Sequence, residues 1–265
     1  MTTIRTLASG SSGNAAVLSC GETHLLIDMG ISCRRICQSL TALGLTPEDL
    51  SGVFITHEHT DHISGLATYI KKYRTPIYCT PAVSRQLEYR LAGIAPLLRP
   101  TALGEKVTFG PVEMDILPTS HDCRESAACH FHTPDGRIGY LTDTGYITDS
   151  AGECLLGADI LVLESNHDVD MLRSGPYPMA LKKRILGMEG HLSNIAAAEY
   201  AVSSVRAGTR TLLLAHLSDE NNTPSRALET MRRTLEAAGL TAELSAAPRD
   251  TMSGALVLEG AGCRG

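Results

Sequence analysis

The sequence predicts an α/β fold, a four-layer αββα sandwich with two mixed β-sheets face to face and helices on both outer sides. Three observations lead there. Short runs rich in apolar and β-branched residues fill the start of the chain at positions 4–7, 15–19 and 24–27, without helical spacing between them. From Ser32 onward such runs alternate with segments of helical spacing, and the same order, strands first and then alternation, recurs from Val107. No tandem repeat, low-complexity stretch or linker interrupts the chain, so residues 1–265 are expected to form one domain with a substantial core.

Each element has a local reason. Strand 4–7 runs into Ser9-Gly10-Ser11-Ser12-Gly13-Asn14, a tight connection into the meander of strands 15–19 and 24–27. Helical spacing covers 32–44 and stops at Gly44, and Thr46 with Pro47 starts a brief helical turn. The apolar run Val53-Phe54-Ile55 reads as a buried strand, helical spacing returns over 62–73, and a short strand follows at 76–79. Thr80-Pro81 caps a helix reaching about Leu91, and Gly110-Pro111 turns a hairpin between 107–109 and 112–116. Strands 127–132 and 137–141 flank the turn Pro134-Asp135-Gly136, and another strand covers 159–163. Helices are expected over 177–186, 194–207 and 224–238, with strands at 211–214, 242–244 and 255–258.

The chemistry concentrates behind Val53-Phe54-Ile55. His57, His59, Asp61 and His62 fall within six residues, on the loop ending that strand and the first turn of the next helix. His57 and His59 alternate, so in extended backbone both rings point the same way and can chelate one ion. Asp61 and His62 come after the bend and can turn towards a second. Imidazole and carboxylate without thiolate suit Zn²⁺, Mn²⁺ or Fe and leave positions open for water. His121, Asp143 and His216 each follow a β-like run where the backbone leaves the sheet, so they can converge on one rim with the first loop. Asp143 can bridge two ions, because a carboxylate binds through each oxygen.

Other residues carry two readings each. Asp28, at a strand end before Met29-Gly30, can cap a turn or orient the ligand loop. Ser11, Ser12 and Asn14 sit in a simple turn whose donors can also hold a phosphate. Lys182 and Arg184, just before Gly190-His191, fit a solvated helix face or contacts to backbone phosphates; Lys71-Lys72-Arg74 fits the solvated face better. His191 can be a helix-entry residue before the caps Ser193 or Asn194. His167 follows a strand, as the ligand loops do, and reads as a residue behind the ligands or one that meets substrate. His24, His130 and His132 read as structural.

Composition narrows the classes. The net charge of −6 argues against a protein coated in basic surface for nonspecific DNA binding, although a cation centre can supply local positive charge. The absence of Trp and the presence of only three Phe argue against an aromatic base-stacking sheet as the binding device. Eight cysteines, at 20, 33, 37, 79, 123, 129, 154 and 263, show no C-x-x-C pair and read as core thiols. The start, Met1-Thr2-Thr3-Ile4-Arg5, lacks a charged stretch followed by an apolar one and no apolar run reaches membrane length, so a cytoplasmic protein with reduced thiols is expected. The oligomeric state is not legible.

The pattern His57-x-His59-x-Asp61-His62 resembles the metallo-β-lactamase superfamily, and His121, Asp143 in Thr-Asp-Thr-Gly, and His216 match its later motifs. The resemblance implies two divalent ions: His57, His59 and His121 on the first, Asp61, His62 and His216 on the second, Asp143 between them, and Asp28 orienting the loop. Asp at 143, where zinc β-lactamases carry Cys, points to the dinuclear hydrolases; His59 argues against the redox-iron branch, which has Glu there. Too few residues separate Asp143 from His216 for an inserted nuclease cap domain. The pairing of Gly-His191-Leu-Ser-Asn with Ala-His216-Leu-Ser is similar to tRNase Z, which implies His191 as a proton donor or phosphate contact. With Ser-Gly-Ser-Ser-Gly-Asn and Leu-Glu-Ser-Asn-His-Asp added, the set resembles the YycJ/WalJ family. That resemblance implies a phosphodiesterase, a 5′→3′ DNA exonuclease acting in DNA repair, with Asp61, Asp143 and His191 as catalytic groups. The alternatives are an RNA-processing endonuclease of tRNase Z type, a thioester or lactone hydrolase, and a non-catalytic metal-bound interaction module.

Overall fold

The computed structural model describes residues 1–258. The first sheet is built from β1 (Thr2–Ala8), β2 (Ala15–Cys20), β3 (Thr23–Ile27), β4 (Leu50–Phe54), β5 (Ile77–Cys79) and β6 (Leu98–Pro100). The second comprises β7 (Lys106–Phe109), β8 (Val112–Pro118), β9 (Ala127–Thr133), β10 (Gly136–Leu141), β11 (Ile160–Glu164), β12 (Thr211–Ala215) and β13 (Glu243–Ala246). The last strand, β14 (Leu256–Leu258), returns to the first sheet beside β1. Strand orders are β14-β1-β2-β3-β4-β5-β6 and β13-β12-β11-β10-β9-β8-β7. Both sheets are mixed, antiparallel from β1 to β3 and β7 to β10, parallel from β3 to β6 and β10 to β13.

Three separate apolar clusters fill the spaces between four layers. Ile4, Leu18, Phe54, Met114, Phe131 and Val162 pack between the sheets. On the first sheet's outer face, Leu26, Val53 and Ile77 meet α1 (Cys33–Ala42), α3 (Leu66–Tyr69) and α4 (Pro81–Arg90). On the second sheet's outer face, Leu161, Leu163 and Leu212 meet α5 (Asp149–Leu155), α8 (Asn194–Arg206) and α9 (Pro224–Ala237). The outer helices are amphipathic at helical spacing: α1 buries Cys33, Ile36 and Leu40, and α9 buries Ala227, Met231 and Leu235. Each large apolar side chain buried this way contributes about 1.5–3 kcal/mol. The α9 start follows its sequence signal, with Thr223 Oγ1 accepting from Arg226 N at 3.2 Å and Pro224 at the first position.

The sandwich is the architecture the sequence predicts; details differ where tertiary contacts override local pattern. The helix expected over 62–73 is two short helices, α2 (Thr60–Ile63) and α3, broken at Gly65. A Cβ on Gly65 would stand 2.2 Å from Ile31 O, so the ligand loop can lie on the 28–32 segment only with glycine there. The helix expected over 177–186 is shorter, α7 (Met179–Ile185). Strand β6 and the helices α5 and α6 (Val169–Ser174) had no sequence reading. The seven described cysteines are free, and Cys263 lies outside the described residues. No helix among the described residues is long and apolar enough to cross a membrane.

Candidate metal centre and active-site cavity

The segments following β3, β4, β8, β10, β11 and β12 meet at one end of the sandwich. This is where carboxyl ends of strands open a crevice in α/β sheets. The ligand loop after β4 is braced from two sides: Asn14 N donates to Asp61 O at 2.8 Å and Met29 N to His62 O at 2.8 Å. Gly30 allows this approach, since a Cβ there would lie 1.6 Å from Asp61 O. Among the described residues three non-glycine positions hold left-handed backbone, Asp28 (φ 60°), Asp143 (φ 56°) and His216 (φ 54°), each just beyond a strand end. Such conformations carry a local cost and persist where surrounding structure fixes them.

Two groups of ligand atoms result. The donor atoms of His57, His59 and His121 lie within 4.8 Å of one another, as do those of Asp61, His62, Asp143 and His216. Asp143 belongs to both surroundings: Oδ1 is 3.9 Å from His121 Nε2 and Oδ2 is 3.3 Å from His62 Nε2. Hydrogen bonds set the ring orientations. His62 Nδ1 donates to Asp28 Oδ2 at 2.8 Å, His121 Nδ1 to Gly190 O at 3.0 Å, and His216 Nδ1 to Glu164 Oε1 at 2.9 Å. Each ring is thereby turned so that Nε2 is the nitrogen facing the centre, where a metal ion would take the place of a proton. Asp28 is itself fixed by Thr56 N at 2.8 Å.

The residues fit divalent cations. His57 Nε2, His216 Nε2 and Asp143 Oδ2 are buried without a hydrogen-bond partner, and orphaned buried polar atoms are costly unless something satisfies them. The local field agrees. Burial opposes charge on His62, yet Asp143 and then Asp28 hold its imidazole well above its usual range; Asp143, Asp61 and Glu164 likewise hold His216 up to about 10. Burial opposes charge on Asp61 and Asp143 too, but neighbouring imidazoles hold both carboxylates below their usual range. Burial, then His62, keeps His57 well below its ordinary value, and burial lowers His121, so these two are neutral donors.

A cavity of about 220 Å³ opens onto this centre and is lined by Ser11, Asn166, Tyr177, Arg184, His191 and Ser218 beside the ligands. His191 stands next to Asp143 and His216, its Nδ1 2.7 Å from Glu164 Oε1 and 3.8 Å from Asp143 Oδ1. Helix entry is handled by Ser193, whose Oγ accepts from Ala196 N at 3.1 Å, so His191 is free of that duty.

The other sequence-selected residues are placed differently. Ser11 lines the cavity, and Ser12, though exposed, does not. Asn14 is buried behind the ligands, its amide 3.4 Å from Asp61 Oδ2 and 3.1 Å from His62 Nε2, bracing the loop away from the cavity. His167 is buried off the cavity with neither ring nitrogen partnered. Lys182 Nζ donates to the carbonyls of Arg173 and Gly175 at 2.7 Å, tying α7 to the end of α6. Arg184 faces the cavity, clasped by Asp122 through both Nε and an Nη. The sequence reading passed over Glu164, whose buried carboxylate accepts from His191, His216, Thr144 N and Leu192 N. Burial alone would raise it, but His191 and then His216 hold it down to about 2. Its signal was available: an acid closing the apolar run of β11, as Asp28 closes β3. Asn166, Tyr177 and Ser218 carry no comparable signal.

Residues 23–217 match the family model described as the beta-lactamase superfamily domain. The chain is 36% identical over 239 residues to exodeoxyribonuclease YycJ of Bacillus anthracis, covering 88% of this chain and 89% of that protein. It is 37% identical over 237 residues to exodeoxyribonuclease WalJ of Streptococcus pneumoniae, covering 88% of each. Among solved structures, the metallo-beta-lactamase fold protein YhfI of Bacillus subtilis superposes with a TM-score of 0.71 at 19% identity, over 95% of this chain and 98% of that one. That likeness shows the fold.

Proposed function

From a chain that belongs to the beta-lactamase superfamily, within it to the family of the exodeoxyribonucleases YycJ and WalJ, and is a metal-dependent hydrolase, we propose a 5′→3′ DNA exonuclease acting in DNA repair. The observation that carries the hydrolytic step is a two-part ligand set joined at Asp143, with His191 beside it on the buried Glu164. His57, His59 and His121 would hold one divalent ion, Asp61, His62 and His216 a second, with Asp143 between them; the donor set suits Zn²⁺ or Mn²⁺, and Fe as well. Such ions, when bound, lower the pKa of a water and offset charge on the phosphate's non-bridging oxygens.

The chain's own groups do the rest. Glu164 fixes the Nδ1 proton of His191, so Nε2 is the nitrogen that meets the reacting phosphate and can deliver a proton to the departing 3′-oxygen. Asp61 or Asp143 takes the proton of the attacking water. Arg184 and Ser11, which line the cavity, would contact a backbone phosphate, and the free thiols suit a cytoplasmic site of action. The test is a digestion time course in Mn²⁺ on double-stranded DNA labelled at its 5′ end, with Asp61→Ala as control. Early release of labelled mononucleotide, lost in the variant, is the expected result. A ladder of internal cuts makes the protein an endonuclease, and no cleavage at all overturns the nuclease reading.

A further inference from the structure

A second cluster of metal-ligating side chains lies away from the cavity, on the outer face of the second sheet. Asp115 on β8 sits directly opposite His130 on β9, and His132 is two residues further along the same face. Alternation explains why three polar groups meet there: Met114, Ile116, Cys129 and Phe131 point between the sheets, leaving their neighbours outward. Helix α5 covers this face, and its Cys154 reaches the same point. His132 Nε2 is 2.6 Å from Asp115 Oδ2, His130 Nδ1 is 3.7 Å from the same oxygen and 3.3 Å from Cys154 Sγ, and that sulfur is 3.9 Å from Asp115 Oδ2.

We propose that Asp115, His130, His132 and Cys154 form a zinc site that joins β8, β9 and α5. Bond lengths of about 2.0–2.3 Å to N, O and S give tetrahedral edges of roughly 3.3–3.8 Å. Three of a tetrahedron's six edges, those among Asp115, His130 and Cys154, stand at or near that value, and the donor atoms of Asp115, His130 and His132 lie within 4.8 Å of one another. The contact between His132 Nε2 and Asp115 Oδ2, at 2.6 Å, is a hydrogen bond whose proton a bound ion would replace. A mixed nitrogen, oxygen and sulfur set is what borderline-soft Zn²⁺ takes, with the thiol proton released to solvent on binding.

His130 is the independent pointer. It is buried, and its Nδ1, the nitrogen turned to the cluster, meets only the Cys154 thiol at 3.3 Å and the Asp115 carboxylate at 3.7 Å, too far for a good hydrogen bond. Lys106, the cation already nearby, sits on the other carboxylate oxygen, 3.3 Å from Oδ1, and is shared with Glu113. The site has a structural consequence: β8 leads into the His121 loop and α5 follows the Asp143 loop, so clamping them fixes the roots of both.

Cobalt substitution tests this without reference to nuclease activity, because a cysteine-bound Co²⁺ gives a near-ultraviolet thiolate charge-transfer band that imidazole and carboxylate ligands cannot give. The full-length protein, stripped by a chelator, is titrated with Co²⁺ as wild type, Asp61→Ala and Cys154→Ser. The expected result is a band in wild type and Asp61→Ala and its loss in Cys154→Ser, with bound zinc reduced by one equivalent in the last. Cys123, near His121, is present in all three and serves as the internal control. Absence of the band from wild type, or its survival in Cys154→Ser, overturns the proposal.

Discussion

His191 Nδ1 lies 2.7 Å from Oε1 of Glu164, a carboxylate with no exposure to solvent. A buried acid held down to about 2 by its imidazole neighbours remains an acceptor across the whole working pH range. The tautomer of His191 is thereby set, and so is the direction its second nitrogen faces. The same Oε1 is 2.9 Å from His216 Nδ1, which couples the proposed proton donor to a proposed ligand through one atom.

Removal of the imidazole alone is expected to affect chemistry and spare the metals. His191→Ala should lower kcat for DNA by about 10²–10⁴-fold, the usual worth of a positioned acid, while metal content by elemental analysis stays at the wild-type level. A phosphodiester with a nitrophenolate leaving group needs no protonation, and on it the loss should be much smaller. An equal loss on both substrates would remove the proton-donor role.

Glu164→Gln reaches further than His191→Ala because it touches both histidines. A glutamine oxygen can accept one of the two Nδ1 protons but carries no charge to hold them. The metal concentration giving half-maximal activity is expected to rise about 10–100-fold, as for other groups that orient metal-binding histidines. His191→Ala should leave that concentration unchanged, so the pair of titrations separates the two duties of Glu164.

Backbone fit is as exacting as ligand chemistry. A Cβ at Gly30 would stand 1.6 Å from Asp61 O and 2.5 Å from Asn14 N, both parts of the brace on the ligand loop. Gly30→Ala is expected to lower unfolding free energy by at least about 1–3 kcal/mol and to weaken metal retention, read by urea unfolding and by dialysis against a chelator. Gly254→Ala, whose added Cβ meets nothing within 4 Å, is the control that should do neither.

The layered fold and the cluster of candidate ligands were legible because both are written locally. Strand runs at 4–7, 24–27 and 159–163 carry their own burial pattern, and His57 through His62 are contiguous. What escaped depends on contacts distant in sequence. The break at Gly65 lies against the 28–32 segment, where Gly65 N donates to Met29 O at 2.9 Å and an added Cβ would meet Ile31 O, and the retreat of Asn14 behind the site comes from Asp61. Lys182 read as a solvated face or a phosphate contact beside Arg184, but positions two apart in a helix face different ways, and its ammonium caps the end of α6 instead. His130 and His132 read as structural on alternation alone, because nothing in β9 reveals that Asp115 and Cys154 arrive beside them.

His167 tests how burial without a partner shapes acid stability. Burial and then His191 work against its charged form, Glu164 and Asp168 oppose them less strongly, and it is held down to about 4 from an ordinary 6.5. Between those values the unfolded chain takes up a proton that the folded chain refuses. Stability contributed by neutral His167 is therefore complete above pH 6.5 and lost as pH falls towards 4, at about 1.4 kcal/mol for each pH unit of a full proton difference. His130, also held down to about 4, adds a loss of the same sign over the same window. His167→Leu is expected to remove one of these two contributions, so urea unfolding between pH 4 and 6.5 should show a shallower fall than wild type. At pH 8 the variant should be neutral or more stable, because it deletes two buried nitrogens that have no partners. Nuclease activity retained in the same variant would place His167 outside the substrate path, and a wild-type slope in the unfolding series would mean that its ring is satisfied by water.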